Sequence, residues 1–206
     1  MNVYVETNFV LELAFVQEQH ESCAKILSLC QTGRARLVLP AFCIAESYES
    51  LIRRAINRKQ IANNLAAELR ELSRSEPYVG EVDALHSVTG FLARSLQDED
   101  HRLIKVLEQL LVVADVIPLE AGIVLDATRY REKFKLEPQD SIVYSSVLHH
   151  LGSTDRVESC FVNRNSRDFD DPDIVAALMD QGCKLLFRFD DGYGYIQHRL
   201  ATKQGD

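Results

Sequence analysis

Val3-Tyr4-Val5-Glu6-Thr7-Asn8 puts an acid directly after a short run of strand-forming residues. Such a run, β-branched and aromatic and led in by Asn2, reads as a short buried strand. Thr7 or Asn8 can cap the helix that follows, in which Val10, Leu13, Ala14 and Gln17 keep the i, i+3, i+4, i+7 rhythm. Glu6 therefore stands where a strand hands over to a helix. An opening strand of this kind is usually central, and an unpaired carboxylate at its buried end is costly. A metal ion or a basic partner is expected there.

Working outward, Cys23, Ile26, Leu27 and Cys30 lie on one face of a second helix that ends near Gly33. Residues 36–40 form an apolar strand stopped by Pro40, and Glu46 falls in the first turns of the next helix. Residues 41–110 read as largely helical, with Leu65, Leu69 and Leu72 in one segment and Leu103, Val106, Leu107 and Leu110 in another, broken near Pro77 and Gly80. A strand is predicted over 111–119 and a helix over 120–133. Glu137-Pro138-Gln139 then delivers Asp140 to the positive end of a helix running to about residue 151. A strand over 159–162 leads into a polar loop over 163–171 that contains Asp168. Pro172 opens a helix closed by Gly182, and a last strand covers 183–189. The stretch after Asp190 is polar and receives no assignment. The alternation predicts an α/β fold with a central, mainly parallel sheet, one domain over residues 1–206, and a helical elaboration over about 50–110.

Bulk composition narrows the classes. The chain has 206 residues, enough for a substantial core, and 46% of them are hydrophobic. A net charge of −8 repels polyanions as a whole, so nucleic-acid contact requires a local basic face together with bound metal. Cys23, Cys30, Cys43, Cys160 and Cys183 include no C-x-x-C pair and sit among apolar neighbours, as buried thiols of a reducing compartment do. With no leader-like start and no long apolar run, the reading is a cytoplasmic chain without membrane contact. G-x-S-x-G, P-loop, dinucleotide-binding and H-E-x-x-H patterns are absent. His149 and His150 face different sides of one helix, and His20, His86, His101 and His198 are scattered.

Glu6, Glu46, Asp140 and Asp168 all fall at strand ends or helix starts, where a parallel α/β fold gathers side chains into one crevice. Singly, each has an ordinary explanation as a helix cap or a macrodipole partner. Together they would repel, by roughly 4 kcal/mol for a pair about 4 Å apart at an effective dielectric near 20. Divalent cations remove that cost. Basic candidates for a phosphate backbone are Arg53, Arg54, Arg58 and Lys59, then Arg129, Arg131, Lys133 and Lys135, and finally Arg164 and Arg167 beside Asp168. Most such charges are solvated helix faces, and the expectation rests on the last pair.

In Glu6-Thr7-Asn8 after the first strand, the helix-borne Glu46, Asp140-Ser141-Ile142 at a helix head, and Asn163 to Phe169 after the fourth strand, the chain resembles the PIN-domain nucleases. The resemblance covers nearly the whole sequence. It implies a three-layer α/β/α sandwich and a Mg²⁺- or Mn²⁺-dependent endonuclease, most often acting on RNA. On that footing Glu6, Glu46, Asp140 and Asp168 are the catalytic acids. Glu6, Asp140 and Asp168 hold the metal, Asn8 and Asn165 orient carboxylates or water, and Arg164 and Arg167 bind substrate. Two departures stand out. Glu6 occupies a position usually held by aspartate, and its extra methylene moves the carboxylate outward, where Mg²⁺ tolerates little deviation. Asn163 and Asn165 stand where a hydroxyl residue is common, which leaves Asp168, ahead of Asp170 or Asp171, to supply the fourth acid. Asp171 before Pro172 reads as a helix cap. The long helical insert argues against the compact toxin members. Two other readings fit the same residues: a catalytically weakened module that binds RNA or protein, and a metal-dependent phosphoesterase acting on DNA. RNA is the expected partner, and a homodimer is the commonest oligomer for a chain with such apolar helix faces. Nothing in the sequence specifies an inhibitor protein.

Overall fold

The computed structural model describes residues 1–202, with the side chains of Asp83, Ala84 and His86 outside the described set. Among the described residues, β1 (Asn2–Val5), β2 (Arg36–Pro40), β3 (Asp115–Ile117), β4 (Ser159–Val162) and β5 (Cys183–Leu186) form one sheet in the order β3-β2-β1-β4-β5. Every pairing is parallel. β1 and β4 are buried along their whole length, as strands covered on both faces must be.

Helices supply that cover. α1 (Thr7–Phe15) and α2 (His20–Gln31) connect β1 to β2. The connection from β2 to β3 runs through α3 (Ala41–Leu72) and α4 (Val79–Val113). Both steps move the same way across the sheet. α5 (Ala121–Phe134) and α6 (Pro138–Ser153) lead from β3 back to β4, and α7 (Ser166–Phe169) and α8 (Pro172–Asp180) from β4 on to β5, both in the opposite direction. Right-handed crossovers then place the two sets of helices on opposite faces. The result is the three-layer α/β/α sandwich expected from the sequence.

The switch in direction occurs between β1 and β4, whose register pairs Val5 with Val162. Glu6 and Asn163 therefore emerge side by side at the carboxyl edge of the sheet, where open α/β folds form their crevice. Gly33 and Gly182 take the left-handed φ of 72° that turns the chain into β2 and β5.

The elaboration is a helical hairpin. α3 and α4 pack along each other and are joined by a turn over residues 73–78 that includes a single 3₁₀ turn, Glu76–Tyr78. Arg58 Nη2 pairs with Glu99 Oε1 at 2.8 Å across the two arms, and Leu69 and Val82 are buried near the tip.

Three expectations are corrected and one unassigned stretch is filled. The strand predicted over 111–119 shrinks to Asp115–Ile117, because the leucine periodicity of α4 continues through the buried Leu110 to Val113. The last strand stops at Leu186 instead of 189. The unassigned stretch after Asp190 is helical: α9 (Phe189–Thr202) buries Phe189, Gly192, Ile196 and Leu200 on one face. The cap of α1 is Glu6 itself, whose side chain accepts from the Asn8 N–H at 2.8 Å, in place of Thr7 or Asn8.

α9 approaches β4 at Gly192, where a Cβ would lie 2.9 Å from both methyl carbons of Val162. A β-branched strand residue cannot swing aside. Gly192→Ala is expected to lower unfolding stability by about 1–3 kcal/mol in urea melts, as overpacking does; an unchanged midpoint would show that α9 is not seated on β4.

Candidate active site

Four segments meet at the carboxyl edge of the sheet. Glu6 follows β1, Glu46 lies in the second turn of α3, Asp140 is in the first turn of α6, and Asp168 is on α7. All four line one cavity of about 640 Å³, shared with Thr7, Asn8, Ser50, Arg53, Arg54, Arg164 and Asn165.

Each acid is delivered by an identifiable local device. Glu6 is held by its own capping role: one carboxylate oxygen accepts from the Asn8 amide, and the other from the Arg164 amide at 3.4 Å. Thr7 Oγ1 donates to Glu46 Oε2, tying the residue after Glu6 to the helix after β2. Pro138 starts α6, so that Asp140 sits at the positive helix end. Asp168 is carried by a four-residue helix anchored by its neighbour. Phe169 is fully buried and packs edge-on against Phe161 and Tyr144, with ring centroids 5.7 and 6.2 Å away.

Asn165 joins two of the acids. Its side-chain nitrogen donates to Asp140 Oδ2 at 2.9 Å and to Asp168 Oδ2 at 2.6 Å. Its backbone amide is in turn fixed by the buried Asn163 side chain at 2.6 Å.

Electrostatically the site is in tension. Burial raises the Glu6 pKa to about 7, opposed by its hydrogen bonds to the Asn8 and Arg164 amides and reinforced by the charge of Glu46. Burial likewise raises Asp140 to about 6, with the Asn165 hydrogen bond opposing and the charges of Asp168 and Glu46 adding to it. Glu46 is raised mainly by burial, against the Thr7 hydrogen bond. Among the described residues, none of the four acids forms an ion pair with lysine or arginine. No three of the described metal-binding side chains are drawn together tightly enough to grip an ion as they stand. The donor set itself, carboxylate oxygens from four segments, is of the kind a hard divalent ion takes.

The basic candidates divide between the cavity wall and its surroundings. Arg53 and Arg54 line the cavity: Arg53 reaches Ser50 Oγ at 3.3 Å, and the Arg54 guanidinium lies 4.4 Å above the Phe15 ring. Arg58 is taken up by Glu99, and Arg167 is exposed on α7 outside the cavity lining. Arg164 lines the cavity, with its guanidinium bonded to Glu12 and Glu18. Asp171 caps α8 through the amides of Asp173 and Ile174, as read from the sequence. Glu12 was missed. Its signal was present as a lone acid inside the apolar run Phe9-Val10-Leu11-Glu12-Leu13-Ala14-Phe15.

The PIN domain family profile matches residues 3–169, a span that contains all four acids and leaves β5 and α9 outside. The chain belongs to the PIN domain family. PIN domains are nucleases, and they generally use divalent metal ions. Among solved structures, a chain of VapBC2 from Rickettsia felis, crystallised bound to a DNA fragment from their promoter, is similar at 11% identity. The alignment covers 90% of this chain and 97% of that one, with a TM-score of 0.44. No curated protein matches. Among the described residues of this PIN domain, no helix is long and apolar enough to cross a membrane.

The raised carboxylates carry a sign. A carboxylic acid whose folded pKa lies above its unfolded value stabilises the fold at low pH and withdraws that contribution as pH rises through the folded value. Without divalent cations, the melting temperature is therefore expected to climb as pH falls from about 8 towards 5, the window set by Glu6 and Asp140. Glu6→Gln should flatten that climb; an identical pH profile in the variant would show that Glu6 is ionised in the fold at no cost.

Proposed function

We propose that this PIN domain is a Mg²⁺- or Mn²⁺-dependent endoribonuclease that hydrolyses internal phosphodiester bonds of RNA. One observation carries the reading: Glu6, Glu46, Asp140 and Asp168, from four segments, line one cavity, and among the described residues none of the four forms an ion pair with lysine or arginine. Protein stability is poorly served by such an arrangement, whereas metal-assisted hydrolysis requires it.

Glu6, Asp140 and Asp168 are the residues that would hold the ion, through hard oxygen donors suited to Mg²⁺ or Mn²⁺. When bound, such an ion polarises a phosphoryl oxygen and acidifies a water molecule towards neutrality. Glu46, with its pKa raised and its orientation set by Thr7, accepts the proton of the attacking water. The water oxygen would bond to phosphorus as the P–O bond to the departing strand breaks, the departing oxygen taking up a proton from solvent. Asn165 holds the Asp140 and Asp168 carboxylates in fixed relation, and Asn8 constrains Glu6. Arg53 and Arg54 in the cavity, with Arg167 outside it, offer the charge that the phosphate backbone needs on a chain of net charge −8. The five free, buried cysteines fit work in the reducing cytoplasm.

The competing reading keeps the fold and gives up the chemistry, using the crevice to bind RNA or a protein. It draws on Glu6 in place of the usual aspartate. Asp140→Asn separates the two. With a fluorescent single-stranded RNA and Mn²⁺, the variant is expected to lose at least about a hundredfold in cleavage rate, the scale of losing a metal-orienting group. It should melt no lower than the wild type, because a strained carboxylate has been removed. Full activity in the variant, or none in the wild type, would contradict the nuclease reading.

A further inference from the structure

Glu12 is a fully buried acid on α1 that none of the chemistry above uses. Its neighbours on the helix are buried and apolar, so its charge must be answered by specific partners. One carboxylate oxygen accepts from Arg164 Nη1, and the other accepts from the backbone amide of Gln19 at 2.8 Å. Gln19 continues the chain of contacts, its side-chain oxygen accepting from the Phe189 amide at 2.6 Å. Arg164 Nη1 also reaches the exposed Glu18 at 3.3 Å.

Arg164 is the residue on which these contacts converge with the acid cluster. Its guanidinium is bound to α1, while its own amide donates to Glu6 Oε1. The next residue, Asn165, bridges Asp140 and Asp168. A charge-assisted bond spanning 152 positions in sequence thus fixes the two-residue segment that touches three of the four acids.

We propose that Glu12 is a positioning residue: through Arg164 it clamps the loop between β4 and α7, and so sets the placement of Glu6, Asp140 and Asp168 around the ion. On this view Arg164 is a strut of the site, in place of the phosphate contact expected from the sequence. The inference rests on the nuclease reading. It adds a requirement for a residue that touches neither metal nor substrate. Orientation of ligands by groups behind them is worth about 10- to 100-fold in metal affinity or activity.

The test uses the full chain with Mn²⁺ and a fluorescent single-stranded oligoribonucleotide. Cleavage kinetics, Mn²⁺ calorimetry and hydrogen exchange over residues 163–169 are measured for wild type, Glu12→Gln, Arg164→Ala, Arg164→Lys and the double variant Glu12→Gln/Arg164→Ala. Glu12→Gln is expected to lower kcat by about tenfold with KM within about twofold, and to weaken Mn²⁺ binding by a similar factor. Amides 164–169 should exchange faster while β1 is unaffected. Arg164→Ala should do the same, the double variant should be no worse than the poorer single one, and Arg164→Lys should recover part of the loss. If Glu12→Gln does not fold, the Arg164 variants and their exchange patterns decide. A raised KM with intact kcat in Arg164→Ala would make Arg164 a substrate contact and overturn the clamp. So would a Glu12→Gln variant that only melts earlier, with kcat, Mn²⁺ affinity and local exchange unchanged. A wild-type chain inert to both Mn²⁺ and RNA overturns the nuclease reading and this inference with it; an active wild type with a silent Glu12→Gln overturns the inference alone.

Discussion

The carboxylate of Glu6 is buried at the point where the sheet changes winding direction, and the geometry around it answers that burial. A charge in that position must find hydrogen-bond donors or give up its ionisation. It finds two backbone amides, one from the helix it caps and one from the loop after β4, and even so its pKa is pushed up to about 7. The charge of Glu46 raises the demand instead of relieving it. What the neighbouring segments provide is orientation: Thr7 for Glu46, Asn165 for Asp140 and Asp168, and Asn163 for Asn165. Donors thus hold the carboxylates in place while burial keeps the Glu6, Glu46 and Asp140 pKa values raised, the arrangement on which the proposed function draws.

The apolar parts of the fold make such a site tolerable. Phe169, wedged between Phe161 and Tyr144, holds the short α7 helix that has too few residues to be stable alone. Val162, the last residue of β4, is pressed by α9 at Gly192, so that the loop carrying Arg164 and Asn165 leaves a strand end that is packed on its face. α3 serves twice: its first turns carry Glu46, Ser50, Arg53 and Arg54 into the cavity, and its remainder forms one arm of the hairpin with α4. At 1.5 Å per residue its 32 residues extend about 48 Å, well beyond the sheet it starts from. The cavity wall is therefore continuous with the hairpin, and the Arg58–Glu99 pair holds the two arms together beyond the site.

Much of this was legible in the sequence because it is written locally. Strand–helix alternation, the acid after Val5, the proline before Asp140 and the Asp171-Pro172 cap each depend on residues a few positions apart. What escaped reading depends on distant partners or on signals that cancel. α9 opens with Phe189, Asp190, Asp191 and Gly192 and includes Gly194, a composition that looks like a loop until Phe189, Ile196 and Leu200 find the core. The strand predicted over 111–119 lost its first residues to α4, whose leucine spacing continued through an equally apolar stretch. The Arg164 guanidinium also reaches away from the cavity. Its binding to Glu12 lies 152 residues away, and no pattern in the chain announces it.

The most direct measurement is an anomalous difference map from crystals soaked in Mn²⁺ above pH 7. The account requires a peak among the carboxylates of Glu6, Asp140 and Asp168, with Glu46 facing the same space. It is contradicted if that space stays empty at saturating Mn²⁺, or if those carboxylates are found turned away from one another and paired with arginine or lysine side chains.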